Sequence, residues 1–382
     1  MSHHSIFSRF LKSNPRSARP HILSPQGVSR GTVALSYIKW PFEEGWDSSK
    51  ARGHTNAYEV VAIADAWCDL EFRVEIVDYL NTVYVPSADC RIAIDIHNNL
   101  ERWTERLPPF CFKILHATGP HWLEWNLAEL NGLAAIRDRK CVALQSRRQV
   151  EPSRGIEVAD HLTVLGNEYT SGTFAFAGKP FTRIPLSSAY EFPWPEGRDF
   201  SKAKRKFFWV ASYGMVHKGL DLVLDAFAGM SELELTVCGR PEKEADFFNL
   251  YRRELTAIPN IHLHGWIDMA SPEFLEMARN HACIIYPSKA EGGAGSAIHC
   301  MHAGMLPACV RGASVDLGDF GISITADTVE AVQAAAQRIA SMPDEEVETR
   351  ARKAWEHVRK FHTREEFKKN YRTFAKRIAA NL

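Results

Sequence analysis

The 382-residue chain carries 46 Lys plus Arg residues and 46 Asp plus Glu residues, so its formal net charge is zero. Because nucleic-acid-binding proteins usually carry a basic excess, this balance argues against a nucleic-acid partner. The length suggests two domains, and 45% hydrophobic with 24% charged residues is ordinary for a soluble globular enzyme. No apolar run approaches the roughly 20 residues that span a bilayer.

The eight cysteines are scattered without a C-x-x-C pair, and several lie within apolar runs, where cysteine behaves as a small hydrophobic residue. This usage indicates a reducing compartment and not a disulfide framework. The N-terminus also lacks the continuous apolar core of a signal peptide. We therefore expect a cytoplasmic protein.

Residues 1–41 contain basic residues but no acidic ones. Residues 1–30, rich in Ser, Pro, Arg and His, are predicted to be a loosely ordered basic tail. Residues 6–12 mix apolar and basic side chains as a brief interfacial helix would, although we favour a frayed terminus. The basic tail suggests peripheral contact with an anionic inner membrane face.

From residue 31 the pattern alternates short apolar runs with helical periodicity, which is typical of a parallel sheet with helices on both faces. We therefore predict an N-terminal Rossmann-like domain over residues 31–195. Its predicted strands are 32–38, 72–79, 91–96 and 110–115, its predicted helices are 55–67 and 122–136, and further apolar runs lie at 141–144 and 162–165.

Residues 185–202 hold several prolines and a glycine without a clear period, and they are predicted to be a linker. A second α/β domain is predicted over 203–360, followed by a last helix in 361–382. The predicted strands are 207–211, 233–238, 261–264, 283–286 and 306–310, and the predicted helices are 220–230, 274–278 and 296–303.

The first candidate site is the turn over residues 211–221, which joins a strand to a helix where doubly wound folds bind ligands. Gly214 permits close backbone approach, and Lys218 at the helix start favours an anion. The phosphate-loop signature is absent from this segment, so ATPase chemistry is unsupported. Taken alone, the segment is equally compatible with a solvated lysine.

The second candidate site is the loop that follows the strand at 283–286. Glu291 offers a carboxylate to sugar hydroxyls, and the glycine-rich backbone after it leaves N–H groups free for a phosphate or sugar. The alternative is a flexible loop in which Ser296 caps the next helix. The loop residues assigned to ligand binding are Gly292, Gly293, Ala294, Gly295 and Ser296.

Five blocks over residues 206–325 together resemble the retaining GT-B glycosyltransferases of family 4, the "group 1" transferases. The resemblance depends on the order and spacing of the blocks and implies two Rossmann-like, doubly wound domains that face a central cleft. The blocks are Lys218-Gly219-Leu220-Asp221, Leu235-Thr236-Val237-Cys238-Gly239, Asn260-Ile261-His262-Leu263-His264-Gly265-Trp266, Tyr286-Pro287-Ser288 with Glu291-Gly292, and Met301-His302-Ala303-Gly304-Met305-Leu306-Pro307.

The resemblance implies that the second domain binds a nucleoside-diphosphate sugar. Lys218 would contact the diphosphate, Glu291 the donor sugar, and Gly265 with Trp266 the base. The last helix would cross back to the N-terminal domain, as it does in similar transferases.

In the N-terminal half, Gly53 and His54 look like the family's glycine loop, which faces the phosphates. His116 looks like the histidine near the donor sugar and is the third residue to which we give a catalytic role. Because His97 and His121 also follow apolar segments, a structural role for a lone histidine in this half remains open.

Two positions depart from the family pattern. Tyr213 stands where the family usually has an arginine, five residues before the lysine, so one phosphate-neutralising charge is lost. His299 stands where a second glutamate usually binds the ribose, and an imidazole offers fewer hydrogen-bonding sites than two carboxylate oxygens. These changes bear on donor identity and on activity.

We predict no metal site, because His299 and His302 share a helix face without a second ligand pair and no Asp-x-Asp motif occurs. We expect no cofactor beyond the nucleoside-diphosphate sugar as co-substrate. The expected reaction is metal-independent, retaining transfer to a glycan, a lipid-linked saccharide or a small molecule, as in polysaccharide biosynthesis. The alternatives are a non-catalytic sugar-nucleotide-binding GT-B protein and a GT-B phosphorylase or epimerase.

Overall fold

The computed structural model describes residues 19–45 and 53–382. Within these residues the first sheet has seven strands in the order β1-β3-β2-β4-β5-β6-β7. Neighbouring strands pair in parallel, except that β1 is antiparallel to β3. The strands are β1 His21–Leu23, β2 Thr32–Tyr37, β3 Arg73–Asp78, β4 Cys90–Asp95, β5 Phe112–Ala117, β6 His161–Val164 and β7 Phe181–Arg183.

Helices cover this sheet, and the longest of them, Trp122–Lys140, extends toward the second domain. His121 caps its start by accepting the backbone N–H of Leu123 at 3.4 Å, and Cys141 ends it in the left-handed conformation. The helices of the first domain are α1 Trp40–Glu44, α2 Thr55–Cys68, α3 Asn99–Trp103, α4 Trp122–Lys140, α5 Gly155–Val158 and α6 Glu168–Gly172, with a 3-10 turn at Ala175–Ala177.

The second sheet has six parallel strands in the order β10-β9-β8-β11-β12-β13. Its strand order reverses between β8 and β11, and this switch point is where a doubly wound sheet opens a crevice at its carboxyl edge. Its strands are β8 Lys206–Val210, β9 Glu234–Cys238, β10 Ile261–Gly265, β11 Cys283–Tyr286, β12 Leu306–Cys309 and β13 Ile322–Ser323.

Nine helices lie in the linker and the second half of the chain, with 3-10 turns at Pro241–Lys243 and Arg311–Ala313. The central strands are buried along most of their length, as expected for a parallel sheet covered on both faces. The helices are α7 Phe200–Ala203, α8 Leu220–Ala228, α9 Ala245–Leu250, α10 Arg252–Thr256, α11 Pro272–Asn280, α12 Gly295–His302, α13 Val329–Ser341, α14 Asp344–Phe361 and α15 Arg364–Ala379.

The last helix, α15, packs against α2 of the first domain. Its aromatic face joins the core of that domain, where Phe367 and Tyr371 are fully buried. The Trp67 indole N–H lies 3.5 Å from the Tyr371 hydroxyl. Burial of two large aromatic side chains stabilises this crossing by a few kcal/mol, at about 25 cal/mol per Å².

The described part of the predicted N-terminal tail is ordered, in contrast to the prediction for residues 1–30. Strand β1 belongs to the first sheet, and the Arg30 guanidinium donates to the Ala379 carbonyl at 2.9 Å. Lys39 forms an ion pair with Glu43 at 2.8 Å. These cations serve contacts within the fold. The proposed interfacial helix at 6–12 lies outside the described residues.

In the part of the chain that the structure describes, no helix is both long enough and apolar enough to cross a membrane.

Candidate active site

The two predicted site segments meet at the switch point of the second sheet. Strands β8 and β11 are neighbours, so the turn after β8 and the loop after β11 leave the same edge side by side. The Lys218 ammonium forms a close ion pair with Glu291 Oε1, and Ser288 Oγ donates to the same oxygen at 2.5 Å. The side chains of Lys218 and Glu291 are only 13% and 11% exposed. We call these two residues the Lys218–Glu291 pair.

The pair is held charged against the cost of burial. Burial disfavours the carboxylate of Glu291, but attraction to Lys218, with contributions from His217 and Arg148, outweighs it and lowers its pKa. Burial lowers the pKa of Lys218, and attraction to Glu291 offsets part of this effect. An anion that approaches Lys218 would therefore enter a site where water screens charges weakly.

Helix α4 of the first domain supports the pair from behind. His217 is fully buried, with Nδ1 3.2 Å from Glu129 Oε2 and Nε2 2.9 Å from the Ala290 carbonyl oxygen. The Trp125 ring stacks on the His217 imidazole with centroids 4.8 Å apart. The sequence analysis did not identify His217 or Glu129 as site residues. The position of His217 directly before Lys218 is the one signal that could have indicated a role for it.

The Glu129 carboxylate organises the segment that follows α4. Its Oε1 accepts the backbone N–H groups of Arg147 at 2.8 Å and Arg148 at 3.1 Å. Burial alone would raise its pKa, but the hydrogen bonds from His217 and from these N–H groups lower the pKa of Glu129 to about 2. The carboxylate is therefore a fixed acceptor at neutral pH.

The glycine-rich loop after Glu291 lies directly against the first domain. A Cβ on Gly292 would lie 2.1 Å from the carbonyl oxygen of Thr118, so only glycine permits this approach. Ala294 adopts the left-handed conformation with φ 35°, and α12 begins at Gly295. Ala294 and not Ser296 precedes the helix, so Ser296 lies in the first turn and is not its N-cap. The loop is thus positioned at the cleft, with Gly293 beside Gly166 of the first domain.

Part of the backbone in the turn after β8, where the sequence predicts an anion site, is engaged by a side chain of the second domain. The Gly214 N–H donates to Glu244 Oε1 at 2.6 Å, and the Met215 N–H donates to the same carboxylate. The backbone donors of this turn are therefore occupied by a protein carboxylate. Tyr213 is half-buried beside Arg147, and its neutral side chain offers no positive charge to a bound anion.

His116 lies in the core of the first domain, which argues against the catalytic role predicted for it. The residue belongs to strand β5 and is fully buried, with Nδ1 2.8 Å from Thr163 Oγ1. Its ring makes edge contacts with Tyr37 and Tyr371 in the core beneath α15. Burial lowers the pKa of His116 to about 4, so the ring is a neutral core group.

His299 is also committed to the protein interior. Its Nε2 lies 3.1 Å from the Met269 carbonyl oxygen and its Nδ1 lies 3.4 Å from Ser188 Oγ. The ring packs among aromatic side chains that include Phe192 and Phe274, and burial lowers its pKa to about 4. Both ring nitrogens have partners, which leaves none free for the predicted ribose contact.

The remaining predicted residues lie at the end of a strand in the second sheet and at the start of a helix in the first domain. Gly265 ends β10, and the neighbouring Trp266 is 57% exposed beneath the Arg240 guanidinium, 5.5 Å from its ring centroid. This exposed aromatic face is suited to a planar base. Gly53 and His54 are exposed at the start of α2, and the His54 ring lies 5.8 Å from that of Trp40.

One group of potential metal ligands occurs in the described residues, at Asp316, His357 and His362. Arg183 already forms an ion pair with Asp316, and His362 Nδ1 lies 2.9 Å from the Leu186 carbonyl oxygen. A guanidinium thus supplies the positive charge that the carboxylate needs, and we assign no metal to this group. His302 Nε2 lies 3.1 Å from the His362 carbonyl oxygen, so it does not pair with His299 in a metal site.

Several solved structures share this arrangement at low sequence identity. Sucrose-phosphate synthase from Thermosynechococcus elongatus is 16% identical with a TM-score of 0.58, covering 92% of this chain and 100% of that one. Anabaena HepE, solved with UDP and glucose, is 11% identical with a TM-score of 0.55, and the match covers 91% of this chain and 99% of HepE. A TarM mutant from S. aureus, solved with UDP and saccharide ligands, is 14% identical with a TM-score of 0.54, and the match covers 78% of this chain and 57% of TarM.

The two doubly wound parallel sheets and these neighbours establish the GT-B fold, as the sequence analysis predicted. The chain spans little more than half the length of TarM but nearly the whole of the other two proteins. No protein-family model and no curated protein matches the sequence.

Proposed function

We propose that this protein is a glycosyltransferase that moves a sugar from a nucleoside-diphosphate sugar to an acceptor hydroxyl. The observation that carries the proposal is the Lys218–Glu291 pair, which is buried at the switch point of the second sheet and faces the first domain. That neighbours with the same fold were solved with UDP and sugars supports the same ligand class here.

In this proposal Lys218 neutralises the leaving diphosphate and Glu291 accepts hydrogen bonds from donor-sugar hydroxyls. The bond between the anomeric carbon and the diphosphate oxygen breaks while the acceptor oxygen bonds to the same face of that carbon. The acceptor proton passes to the departing diphosphate. The partial positive charge at the first turn of α12 and the Lys218 ammonium stabilise the negative charge that develops on the diphosphate. Each of these interactions contributes about 3 kcal/mol.

We further propose that the reaction retains the anomeric configuration and needs no divalent metal, since no Asp-x-Asp motif occurs in the sequence. The close approach of Gly292 to Thr118 supports a cleft that excludes water, which would protect the donor from hydrolysis. A glycan, a lipid-linked saccharide or a small molecule is the proposed acceptor.

The first test is thermal stabilisation by UDP, GDP, ADP and their hexose conjugates at about 1 mM. A ligand whose Kd is a hundredfold lower than its concentration stabilises by about 2.7 kcal/mol, a shift of a few degrees for a protein of this size. We expect one base to give a clear shift. The absence of any shift would count against the proposal.

The stabilising sugar nucleotide is then incubated with the enzyme and saccharide acceptors, and nucleotide release is measured with EDTA present. Acceptor-dependent release supports the transferase. Binding without release under any condition would favour the non-catalytic binder. A requirement for inorganic phosphate would favour a phosphorylase, and conversion of the donor without an acceptor would favour an epimerase.

A further inference from the structure

Arg148 of the first domain lies directly on the turn that carries Lys218. A Cβ placed on Gly214 would lie 2.5 Å from Arg148 Cγ and 2.8 Å from its Cδ, so the aliphatic stem fills the space that a side chain there would take. Gly214 has φ 81°, which also favours glycine at this position. The sequence of the turn is thus adapted to an arginine from the other domain.

The guanidinium of Arg148 is held in place without a counter-ion among the residues that the structure describes. It lies over the Trp125 ring, 5.0 Å from the centroid, and Trp125 Nε1 donates to the Arg148 carbonyl oxygen. The Arg148 Nε is buried without a hydrogen-bond partner. Across residues 19–45 and 53–382, no carboxylate pairs with this side chain.

The adjacent arginine shows what a paired cation looks like in the same segment. Arg147 forms an ion pair with Asp246 of the second domain at 2.7 Å, and the Gln145 N–H donates to the same carboxylate at 2.8 Å. These contacts hold the segment against the second domain. Of the two neighbouring arginines, one fastens the domains together and the other is left with its charge unmatched.

The charge of Arg148 acts on the Lys218–Glu291 pair. Its positive field helps to lower the pKa of Glu291 and contributes to the lowered pKa of Lys218, which indicates that all three groups share one electrostatic site. Lys218 is matched by Glu291, whereas no carboxylate in the described residues pairs with Arg148. A guanidinium group without a carboxylate partner is suited to phosphate, which it binds through two parallel hydrogen bonds.

We propose that Arg148 supplies, from the first domain, the second cation that binds the diphosphate of the donor. It takes the place of a charge that the neutral Tyr213 cannot provide in the second domain. The diphosphate site is then complete only when the two domains are in contact, so that closure of the cleft and neutralisation of the leaving group are coupled. This inference rests on the proposed function.

The experiment measures the Kd of UDP, GDP, ADP and inorganic pyrophosphate, together with the corresponding free nucleosides, by calorimetry for the wild type and Arg148→Ala. Loss of a charge-assisted arginine–phosphate contact is expected to weaken the nucleoside diphosphate and pyrophosphate about tenfold to a hundredfold. Affinity for the nucleoside alone should stay unchanged. Arg137→Ala is the matched control, because that side chain is 62% exposed on α4.

Two further variants separate a phosphate contact from a packing role. Arg148→Lys keeps the stem over Gly214 and the charge, and it should lose less affinity than Arg148→Ala. Arg148→Ala combined with Tyr213→Arg returns a cation to the same turn from the second domain, and it should recover part of the diphosphate affinity. A merely structural arginine would not be rescued in this way.

The outcomes distinguish this inference from the proposed function. If the wild type binds none of the diphosphates or pyrophosphate, the proposed function fails and the role of Arg148 fails with it. If the wild type binds one of them and the folded Arg148→Ala protein binds it equally well, only the role of Arg148 is overturned.

Discussion

Glu59 and Glu291 are buried glutamates in the two halves of the molecule, and their surroundings give them opposite charge states. Glu59, on α2, is 0% exposed and accepts only the N–H and hydroxyl of Ser187, both at 3.0 Å. Burial raises the pKa of Glu59 to about 8, because these neutral donors only partly offset it. Glu291 is also buried, but attraction to Lys218 outweighs the effect of burial and lowers its pKa.

The comparison shows that burial by itself does not mark a functional carboxylate. A carboxyl group without a cation keeps its proton in the interior, whereas one beside Lys218 stays ionised. The same contrast holds for histidines, since His116 packs among core aromatics while His217 links Glu129 to the loop of Glu291. The chemistry follows from which groups the two sheets bring together at the cleft.

Lys218→Ala should have the largest effect, because it removes the cation that distinguishes Glu291 from Glu59. We expect turnover to fall at least about a hundredfold, as for other fixed charges that stabilise a leaving group. The pKa of Glu291 should rise toward the pKa of Glu59. The measurement is acceptor-dependent nucleotide release at saturating donor.

Lys202→Ala is the control for this prediction, since the Lys202 side chain is 81% exposed. Melting curves without ligand establish that the Lys218→Ala protein is folded. A near-normal rate in the folded variant would refute the assignment of Lys218.

Glu59→Gln should have an intermediate effect, seen in stability against pH. The pKa of Glu59 is raised in the folded state, so the folded protein holds a proton that the unfolded chain loses above pH of about 4.3. This contribution to stability is fully present at low pH and is lost as pH rises to about 8, by up to about 1.4 kcal/mol per pH unit.

Urea denaturation between pH of about 6.5 and 8 isolates this slope when Glu59→Gln is compared with the wild type, because the histidines contribute equally to both proteins. Relative to the wild type, the slope should shift upward by up to about 1.4 kcal/mol per pH unit in Glu59→Gln. It should stay unchanged in the control Glu232→Gln, which alters an exposed glutamate. An unchanged slope in Glu59→Gln would contradict the protonated state of Glu59.

His116→Ala should have the smallest effect on activity. Loss of its contacts with Tyr37, Tyr371 and Thr163 should lower the free energy of unfolding by about 2–4 kcal/mol, as for other large-to-small core changes. Turnover per folded molecule should change less than about twofold, since the ring is fully buried against Tyr37 and Tyr371 in the first domain. A hundredfold loss of turnover in a folded variant would restore a catalytic role, and Thr163→Ala serves as a milder core control.

The sequence predicts the architecture well where the signals are local. Apolar runs of strand length ending at glycine or proline mark β8, β9 and β11 to within a few residues. Lys218 and Glu291 were found because each follows such a strand, and the doubly wound pattern places the ends of β8 and β11 together. The loop of Gly292 was assigned to the cleft for the same reason.

The sequence does not predict contacts made by long-range packing. His21–Leu23 joins the first sheet although its sequence reads as a polar tail, because pairing with β3 is decided by register and not by local pattern. His116 was assigned to a loop, but β5 extends to Ala117 and turns the ring into the core. A shift of two residues in a strand boundary was enough to misplace a catalytic assignment.

The amino-acid sequence thus determined two doubly wound domains and the two residues of the central ion pair, since hydrophobic periodicity and glycine positions are local properties. Only the tertiary structure decided that Arg148 lies on Gly214 and that His217 joins Glu129 across the domain boundary. Arg148 and Gly214 lie 66 residues apart in the chain, and Glu129 and His217 lie 88 residues apart. Charge and shape must complement each other in space before such pairs form, and no spacing along the chain encodes that match.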